Sequence, residues 1–415
     1  MPTVAPVAVI VDGYYNAAFY PAAFARHGVR VIHVQSTADP IPSWNPPDPA
    51  AYEQSIVHTD DETTLDLLKQ YDPLCVIAGQ EPGVPLADRL SEGLGLPTNG
   101  SRWSEARRNK FVMTETLRAA GVRSAEQHRT DSAEAAVRWA TRRGVFPVVV
   151  KPLSSCNADG VRICATADEV RRAADEVLAS RDAFDLPNTE VLVQEYLDGE
   201  EYVVDTVSRD GQRFVNSVWK YEKTLADGKN LYDREILLPA DEGPATELIP
   251  YVLTVLDALN IRHGAAHSEV KLTSRGPVLV ETGARLNGGM LPSLHDICLG
   301  QNQADLAAMA FVDPAGFLET YAGKVCERRR PAICYMAATT AEGVVQAVDE
   351  ETLAAINALP SVHRVDLHLS PGQRIRPTVD AATCAMRVYL TGPTQDAILA
   401  DYARVRTLKD SVYRL

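Results

Sequence analysis

Basic residues are in short supply in this chain: 41 Lys and Arg stand against 55 Asp and Glu, for a formal net charge of −14. That balance repels phosphate backbones and anionic lipid, which excludes nucleic acid and an anionic membrane as the main partner while leaving room for a locally basic pocket. Cysteine is sparse too. The seven, at 75, 156, 164, 298, 326, 334 and 384, are scattered, odd in number and without CxxC spacing, so they read as reduced thiols of a cytoplasmic protein rather than a disulfide framework or zinc site. No apolar run approaches the roughly 18 residues that a membrane span requires. The opening MPTVAPVAVIVDGYY lacks a basic leader and its apolar stretch stops at Asp12, so it reads as a first strand rather than a signal peptide. Internal repeats, low-complexity tracts and the GxxxxGK[ST] phosphate loop are also absent.

What is present is an alternation of strand and helix signals, in a chain of 415 residues that is too long for one ordinary core. Residues 7–11 (VAVIV), a helical stretch near 17–27, and 29–35 (VRVIHVQ) make a β-α-β pattern, and 74–78 (LCVIA) adds another buried strand. Continuous apolar runs of this kind indicate a parallel sheet covered on both faces. Trp44–Pro49 is a Pro-rich surface connection. Ser104 is expected to cap a helix running to about Ala120, with Glu105 in its first turn and Gly121 as its stop. Strands at 145–151 and 191–197 flank a Gly-containing loop and a charged helix near 167–180. Strands at 202–208 and 213–219 form a hairpin through Arg209-Asp210-Gly211. A long polar loop over 220–240, a helix at 247–260 and another at 303–312 follow. The tail, 331–415, is mixed α/β, with strands near 332–337 and 384–390 that pack back as a lid or third lobe. Boundaries fall near 103, 200 and 328.

Three constellations carry chemistry. In HSEVKLTSRGPVLVETGARLNGG, residues 267–289, Glu269 and Glu281 lie on two apolar runs joined by the turn-rich Ser274–Pro277, and Arg285, Asn287 and Gly288-Gly289 follow. If the runs pair as strands, both carboxylates can share one face, because side chains alternate with period 2. Two carboxylates beside a guanidinium suggest a site for a hard divalent cation and phosphate. Lys151 ends the apolar strand VVVK and precedes the small-residue loop Ser154–Gly160, where it either neutralises phosphates or merely terminates a strand. Gln194-Glu195-Tyr196-Leu197, followed by Gly199 and Glu201, offers either a linker with backbone groups for an adenine edge or an edge strand ending in an acidic turn.

The order and spacing of these elements, phosphate lysine, linker and metal carboxylates, resembles the ATP-grasp superfamily of carboxylate–amine ligases over roughly residues 1–330. The resemblance implies an α/β protein: a Rossmann-like parallel-sheet pre-ATP-grasp domain (1–103), a two-lobed ATP-grasp domain with a small lobe carrying the phosphate loop (104–200) and a large lobe carrying the metal and catalytic site (201–328), and a C-terminal mixed α/β lid or extension (329–415). It implies ATP with Mg2+, or Mn2+ in its stead. The phosphate lysines would be Lys110 and Lys151, adenine would meet Gln194, the Glu195 carbonyl and the Leu197 N–H, and ribose would meet Glu201. Glu269 and Glu281 would hold metal. Many family members read ExNxR at the second metal position, whereas Glu281-Thr282-Gly283-Ala284-Arg285 has glycine in place of the asparagine. Water and phosphate then complete the metal shell, with Asn287 as the alternative ligand. The E-x-G-x-R variant preceded by His267-Ser-Glu269 resembles the L-amino-acid ligase branch, which makes dipeptides and related amides.

The resemblance further implies small-molecule carboxylate and amine substrates and, since related ligases are often dimers, a homodimer. Arg285 and Lys151 would be catalytic, with Asn287 and Gly288 near substrate. Glu81, just after a parallel strand where ligand crevices form, either holds a substrate ammonium or favours a helix N-terminus. His267, on the strand face of Glu269, touches substrate, orients that carboxylate or is a satisfied structural histidine. The segment 219–240, with Trp219, Lys220, Tyr221, Lys223 and Tyr232, is either a substrate lid or an ordinary surface loop. Two other readings stand beside the ligase: a biotin carboxylase-like or purine-pathway carboxylase using bicarbonate, and a nucleotide-binding regulator without turnover.

Overall fold

The structure, a computed structural model, describes residues 5–41, 44–155, 159–182, 184–226, 229–380 and 383–415. Three residues of the expected phosphate loop, 156–158, and the pair 227–228 within the expected polar loop lie outside the described residues.

The N-terminal part builds a four-stranded parallel sheet from β1 (Val7–Val11), β2 (Arg30–Gln35), β3 (Gln54–Val57) and β4 (Cys75–Ala78), in the order β3-β2-β1-β4, with helix α1 (Phe19–Ala25) between β1 and β2. Every residue of β1 is buried. Val7, Val9 and Val11 pack with Leu86 and Leu90 of α2 (Val84–Gly93), while Ala8 and Ile10 share the main core with Tyr20 and Phe24 of α1. Burial on two faces is why the strand carries no polar alternation.

Helix α3 covers Lys110–Ala119. Its cap is Asn109, whose side chain accepts from the Phe111 and Val112 N–H groups, and not Ser104 as expected. Ser104 has helical dihedrals (φ −58°, ψ −40°) where a cap needs an extended residue, and its hydroxyl donates to Asp88 at 2.5 Å instead. Gly121, at φ +73°, ends the helix as expected.

A second, antiparallel sheet runs β5-β8-β6-β7, from β5 (Gln127–Thr130), β6 (Val148–Pro152), β7 (Arg162–Cys164) and β8 (Val191–Glu195). Helices α4 (Ala133–Arg143) and α5 (Ala167–Leu178) supply alanines and valines to its core. β8 is an interior strand, so the edge-strand reading fails, and it stops at Glu195, leaving Tyr196 and Leu197 beyond its end.

The large sheet has eight antiparallel strands: β9 (Glu200–Arg209), β10 (Gln212–Ala226), β11 (Lys229–Leu237), β12 (Gly264–Thr273), β13 (Gly276–Gly283), β14 (Ala332–Ala337), β15 (Val362–Leu367) and β16 (Met386–Thr391), ordered β13-β12-β9-β10-β11-β14-β16-β15. β9 and β10 are joined through Asp210 and Gly211, both at positive φ (53° and 79°), the tight primed turn their sequence predicts. The expected polar loop at 220–240 is instead largely the β10–β11 hairpin. Its polarity hid the strands because charged residues pair across the ladders: Lys220 with Glu200, Glu222 with Arg234, Lys223 with Glu201. Helices at Ala245–Ala258 and Gln303–Val312 fall where the sequence predicts them. The tail strands β14, β15 and β16 continue the large sheet rather than standing apart from it.

Candidate active site

A cleft of about 1340 Å³, counting the part open to solvent, lies where these three sheets face one another. It brings together Lys110, Lys151, Gln194, Glu195, Leu197, Glu201, His267, Glu269, Glu281, Arg285, Asn287 and Gly288. Of the sequence-predicted residues, Glu81 does not line it but reaches it through Arg285, and of the 219–240 candidates Tyr221, Lys223 and Tyr232 line it while Trp219 and Lys220 do not.

Cross-strand register decides the arrangement of the carboxylates. Glu269 on β12 stands opposite Glu281 on β13, and His267 opposite Gly283, so all of these share one sheet face. Past that pair the register shifts, with Val270 opposite Leu279, and the extra residue, Val280, also lines the cleft. The donor set fits a hard divalent cation: two carboxylates face to face, with lysines nearby for phosphate. Among the described residues no cluster of three His, Cys, Asp or Glu side chains forms a full cage, so further ligands would be phosphate oxygens and water. The Asn287 alternative fares poorly. Its amide donates to Asp205 at 2.8 Å and its carbonyl oxygen accepts the Gly289 N–H at 2.6 Å.

The lysines differ. Lys110 lies 2.7 Å from Glu281 and donates to the Ser155 carbonyl at 2.7 Å. Burial raises the Glu281 carboxyl, but Lys110, then Lys151 and Arg285, outweigh it and hold the group at about 2. Burial pulls Lys110 down, and the Glu281 and Glu81 charges more than restore it. Lys151 is 4% exposed and its ammonium has no hydrogen-bond or ion partner among the described residues. Burial, reinforced by the Lys110 charge, lowers it to about 8 against the pull of Glu281, Glu269 and Glu201. An unpaired ammonium at the mouth of a loop is a ready seat for an anion.

On the linker, Gln194 contacts Gln127 at 3.4 Å, while the Glu195 carboxylate is spent on Arg143, Arg275 and the Glu126 N–H, leaving only its backbone for a ligand. Leu197 packs with Ala125 and Val278. Glu201 pairs with Lys223, whose ammonium sits 4.1 Å from the centre of the Tyr232 ring.

His267 is held from both sides, by Asp205 at 2.8 Å and Glu269 at 3.4 Å. Burial lowers it, yet these partners win and raise it to about 9, so it is an imidazolium that fixes Glu269. Asp205 is fully buried and also accepts from Ser217 and Asn287. Arg285 donates to Glu81 at 2.6 Å and to the Leu286 carbonyl at 2.8 Å, and Arg108 lies 3.7 Å from Glu81. A Cβ at Gly283 would come within 3.3 Å of both the Arg285 guanidinium and Glu81. Glycine there leaves room for the ion pair. Asn16 donates to the Leu286 and Asn287 carbonyls at 2.8 Å, tying this loop to the N-terminal sheet.

Sequence reasoning missed Tyr15, Glu235 and Arg387, which line the cleft, and Asp205, buried behind His267 and Asn287. A single charge inside an apolar strand, as in VVDTV around Asp205 or MRVYL around Arg387, is the signal that could have found two of them.

A cleft between sheets in which lysines face paired carboxylates is the arrangement of an ATP-grasp enzyme. The ATP-grasp domain model matches residues 144–293. Dapdiamide A synthase of Enterobacter agglomerans is 33% identical over 420 residues, spanning 99% of this chain and 97% of that protein, and alanine–anticapsin ligase of Bacillus subtilis (strain 168) is 25% identical over 246 residues, 54% of this chain and 50% of that protein. The crystal structure of L-amino acid ligase from Bacillus licheniformis has the same fold, with a TM-score of 0.75 at 21% identity over 98% of each chain. The chain belongs to the ATP-grasp family and is an ATP-dependent ligase forming carbon–nitrogen bonds.

Proposed function

We propose that this protein joins the carboxylate of an amino acid or small acid to the amine of a second small molecule, spending ATP and releasing ADP and phosphate. The substrate carboxylate attacks the γ-phosphoryl group to give an acyl phosphate, and the amine then displaces phosphate to leave the amide. A free carboxylate resists amines because its oxygen leaves badly, and phosphorylation removes that obstacle. Amino-acid substrates are supported by the names of two relatives, alanine–anticapsin ligase and an L-arginine-specific L-amino acid ligase.

In this reading Lys151 and Lys110 bind the phosphates. The Gln194 side chain, the Glu195 carbonyl and the Leu197 N–H take the adenine, and Glu201 takes the ribose after exchanging Lys223. Glu269, fixed by His267, and Glu281 would hold Mg2+ or Mn2+, which when bound supplies Lewis-acid neutralisation of the transferring phosphoryl group. Arg285 orients the substrate carboxylate and then stabilises the oxyanion formed when the amine attacks. Glu81 tunes Arg285 or takes a substrate ammonium, and the walls of the cleft keep water from the acyl phosphate. The lobes follow the divisions near 103, 200 and 328. A cytoplasmic homodimer is the expected form, and the six cysteines among the described residues, all free and buried, support the compartment.

The observation that carries this reading is the convergence of Lys110, Lys151, Glu269, Glu281 and Arg285 on one cleft. The test is phosphate release across paired amino acids and small acids, with product mass measurement. A mass equal to the two substrates less water is the expected result. Release that depends on bicarbonate would make the protein a carboxylase, and no ATP consumption with any pair would make it a regulator.

A further inference from the structure

Two opposite charges in the cleft have no role so far. Glu235 on β11 is 4% exposed, lines the cleft, and its carboxylate has no hydrogen-bond or ion partner among the described residues. Arg387 on β16 is 7% exposed and also lines the cleft. Its Nη1 donates to the Tyr15 hydroxyl at 3.1 Å and its Nη2 approaches the Met336 sulfur at 3.7 Å, but its Nε is buried without a partner. Asp366, its neighbour across the ladder, pairs with Arg364 instead. Buried charges are costly without a counter-charge, and one supplied by a ligand meets the need.

Strand register fixes how the two are disposed. Glu235 stands opposite Cys334, and Arg387 opposite Met336, two residues further along β14. They therefore project from one sheet face, with backbones separated by about 10 Å across the strands and about 7 Å along them. No ion pair within 4 Å joins them, so a gap remains between carboxylate and guanidinium. The chain at Asn287–Gly289 closes over this gap: a Cβ on Gly289 would fall 2.8 Å from a Glu235 oxygen.

We propose that Glu235 and Arg387 are the binding subsite for the amine substrate, which is an α-amino acid with a free carboxylate: Glu235 accepts hydrogen bonds from its ammonium and Arg387 donates to its carboxylate. The inference rests on the ligase reading above and deepens it. The carboxylate held by Arg387 is kept from the phosphoryl group, which assigns this amino acid the acceptor role and leaves the Arg285 side of the cleft to the donor. Tyr15, on the short helical turn that follows β1, braces Arg387 and so links the N-terminal domain to acceptor binding.

The test uses the full-length protein with MgATP and a panel of the free L-amino acids beside their α-amides as acceptors, following phosphate release and product mass. Wild-type protein should prefer the free acids by about 100-fold in kcat/KM, the scale of one or two lost charge-assisted hydrogen bonds. Arg387→Met should raise the acceptor KM by about 10- to 100-fold and erase the preference for acid over amide, and Glu235→Gln should raise the same KM. In both variants affinity for a fluorescent ATP analogue should stay within about twofold of wild type, since neither residue faces the proposed nucleotide groups. Equal use of acids and amides by wild-type protein overturns the proposal, and that comparison needs no variant to fold. Unchanged acceptor KM in folded Arg387→Met also overturns it while leaving the ligase intact, whereas absence of ATP consumption with every pair overturns the ligase reading itself.

Discussion

Lys151 gives the proposed nucleotide site a signature measurable without knowing either substrate. Buried beside Lys110 and without a partner among the described residues, its ammonium titrates at about 8 rather than the usual value near 10.5. Polyphosphate placed against it would favour the charged form and raise that value again, so binding must draw protons from solution wherever the free lysine is deprotonated and the bound one is not. At pH 8.5 about three quarters of a proton should be taken up per ATP, and at pH 7 about one tenth. The sign follows from the direction of the shift: affinity is full below pH 8 and falls as pH rises, with Kd about 30-fold weaker at pH 9.5 than at pH 7 while the bound lysine stays charged. Calorimetric titration of ATP at pH 8.5 in buffers of different ionisation enthalpy measures the uptake directly. The terminal phosphate is already ionised there and does not confuse the count. His267 and Glu235 also titrate in this range, so the decisive quantity is the difference between wild type and Lys151→Met. No uptake at pH 8.5, or equal uptake in Lys151→Met, would refute the placement of phosphate at this lysine.

Arg285→Ala should suppress amide formation by a hundredfold or more, on the order of the loss of an oxyanion donor, while ATP-analogue binding survives; coupled ADP release and product mass separate the two. Gly283→Asn would restore the oxygen many relatives carry but drive a side chain into Arg285 and Glu81, so ligation should fall by about tenfold even if metal affinity, followed by Mn2+ titration, improves. Arg107 is wholly buried, pairs with Asp88 at 2.7 Å, and donates to the Asn99 and Leu259 carbonyls. Arg107→Ala should cost about 3–5 kcal/mol by leaving Asp88 buried and unpaired, read as a lowered urea midpoint.

Much of this was legible locally. The β1 and β2 runs, the Asp210-Gly211 turn and the two carboxylates on one face follow from apolar continuity, from turn residues that accept positive φ and from alternation, each fixed within a few neighbours. The ladder pairs at 220–237 were not legible, because Lys220, Glu222 and Lys223 look like loop residues until their partners at 200, 234 and 201 are known. Ser104 failed for a similar reason: its preference for capping lost to a hydrogen bond with Asp88, sixteen residues away. Glu235 and Arg387 fall in the same class. Strand order alone puts residues 152 positions apart on one face of one sheet, and although a lone charge in MRVYL marks Arg387, neither neighbourhood shows that the two meet.

Gly283 shows how a departure from a motif can be read once contacts are known. As a missing side-chain oxygen it is a deficit at the metal position, and Asn287 was the nearby replacement. The Asn287 amide is already committed to Asp205 and Gly289, so the deficit is not made good by protein. What the missing side chain does instead is open the space that Arg285 and Glu81 share, with Arg108 behind them. An asparagine at 283 and a Glu81–Arg285 pair compete for one volume, and this chain has kept the pair. Under the proposed function, Glu81 would act on the reaction through the guanidinium, holding Arg285 beside the β12–β13 carboxylates until a substrate carboxylate took its place. On that proposal, donor specificity would be set by which acid can displace Glu81 from Arg285, a competition between carboxylates that the glycine makes room for.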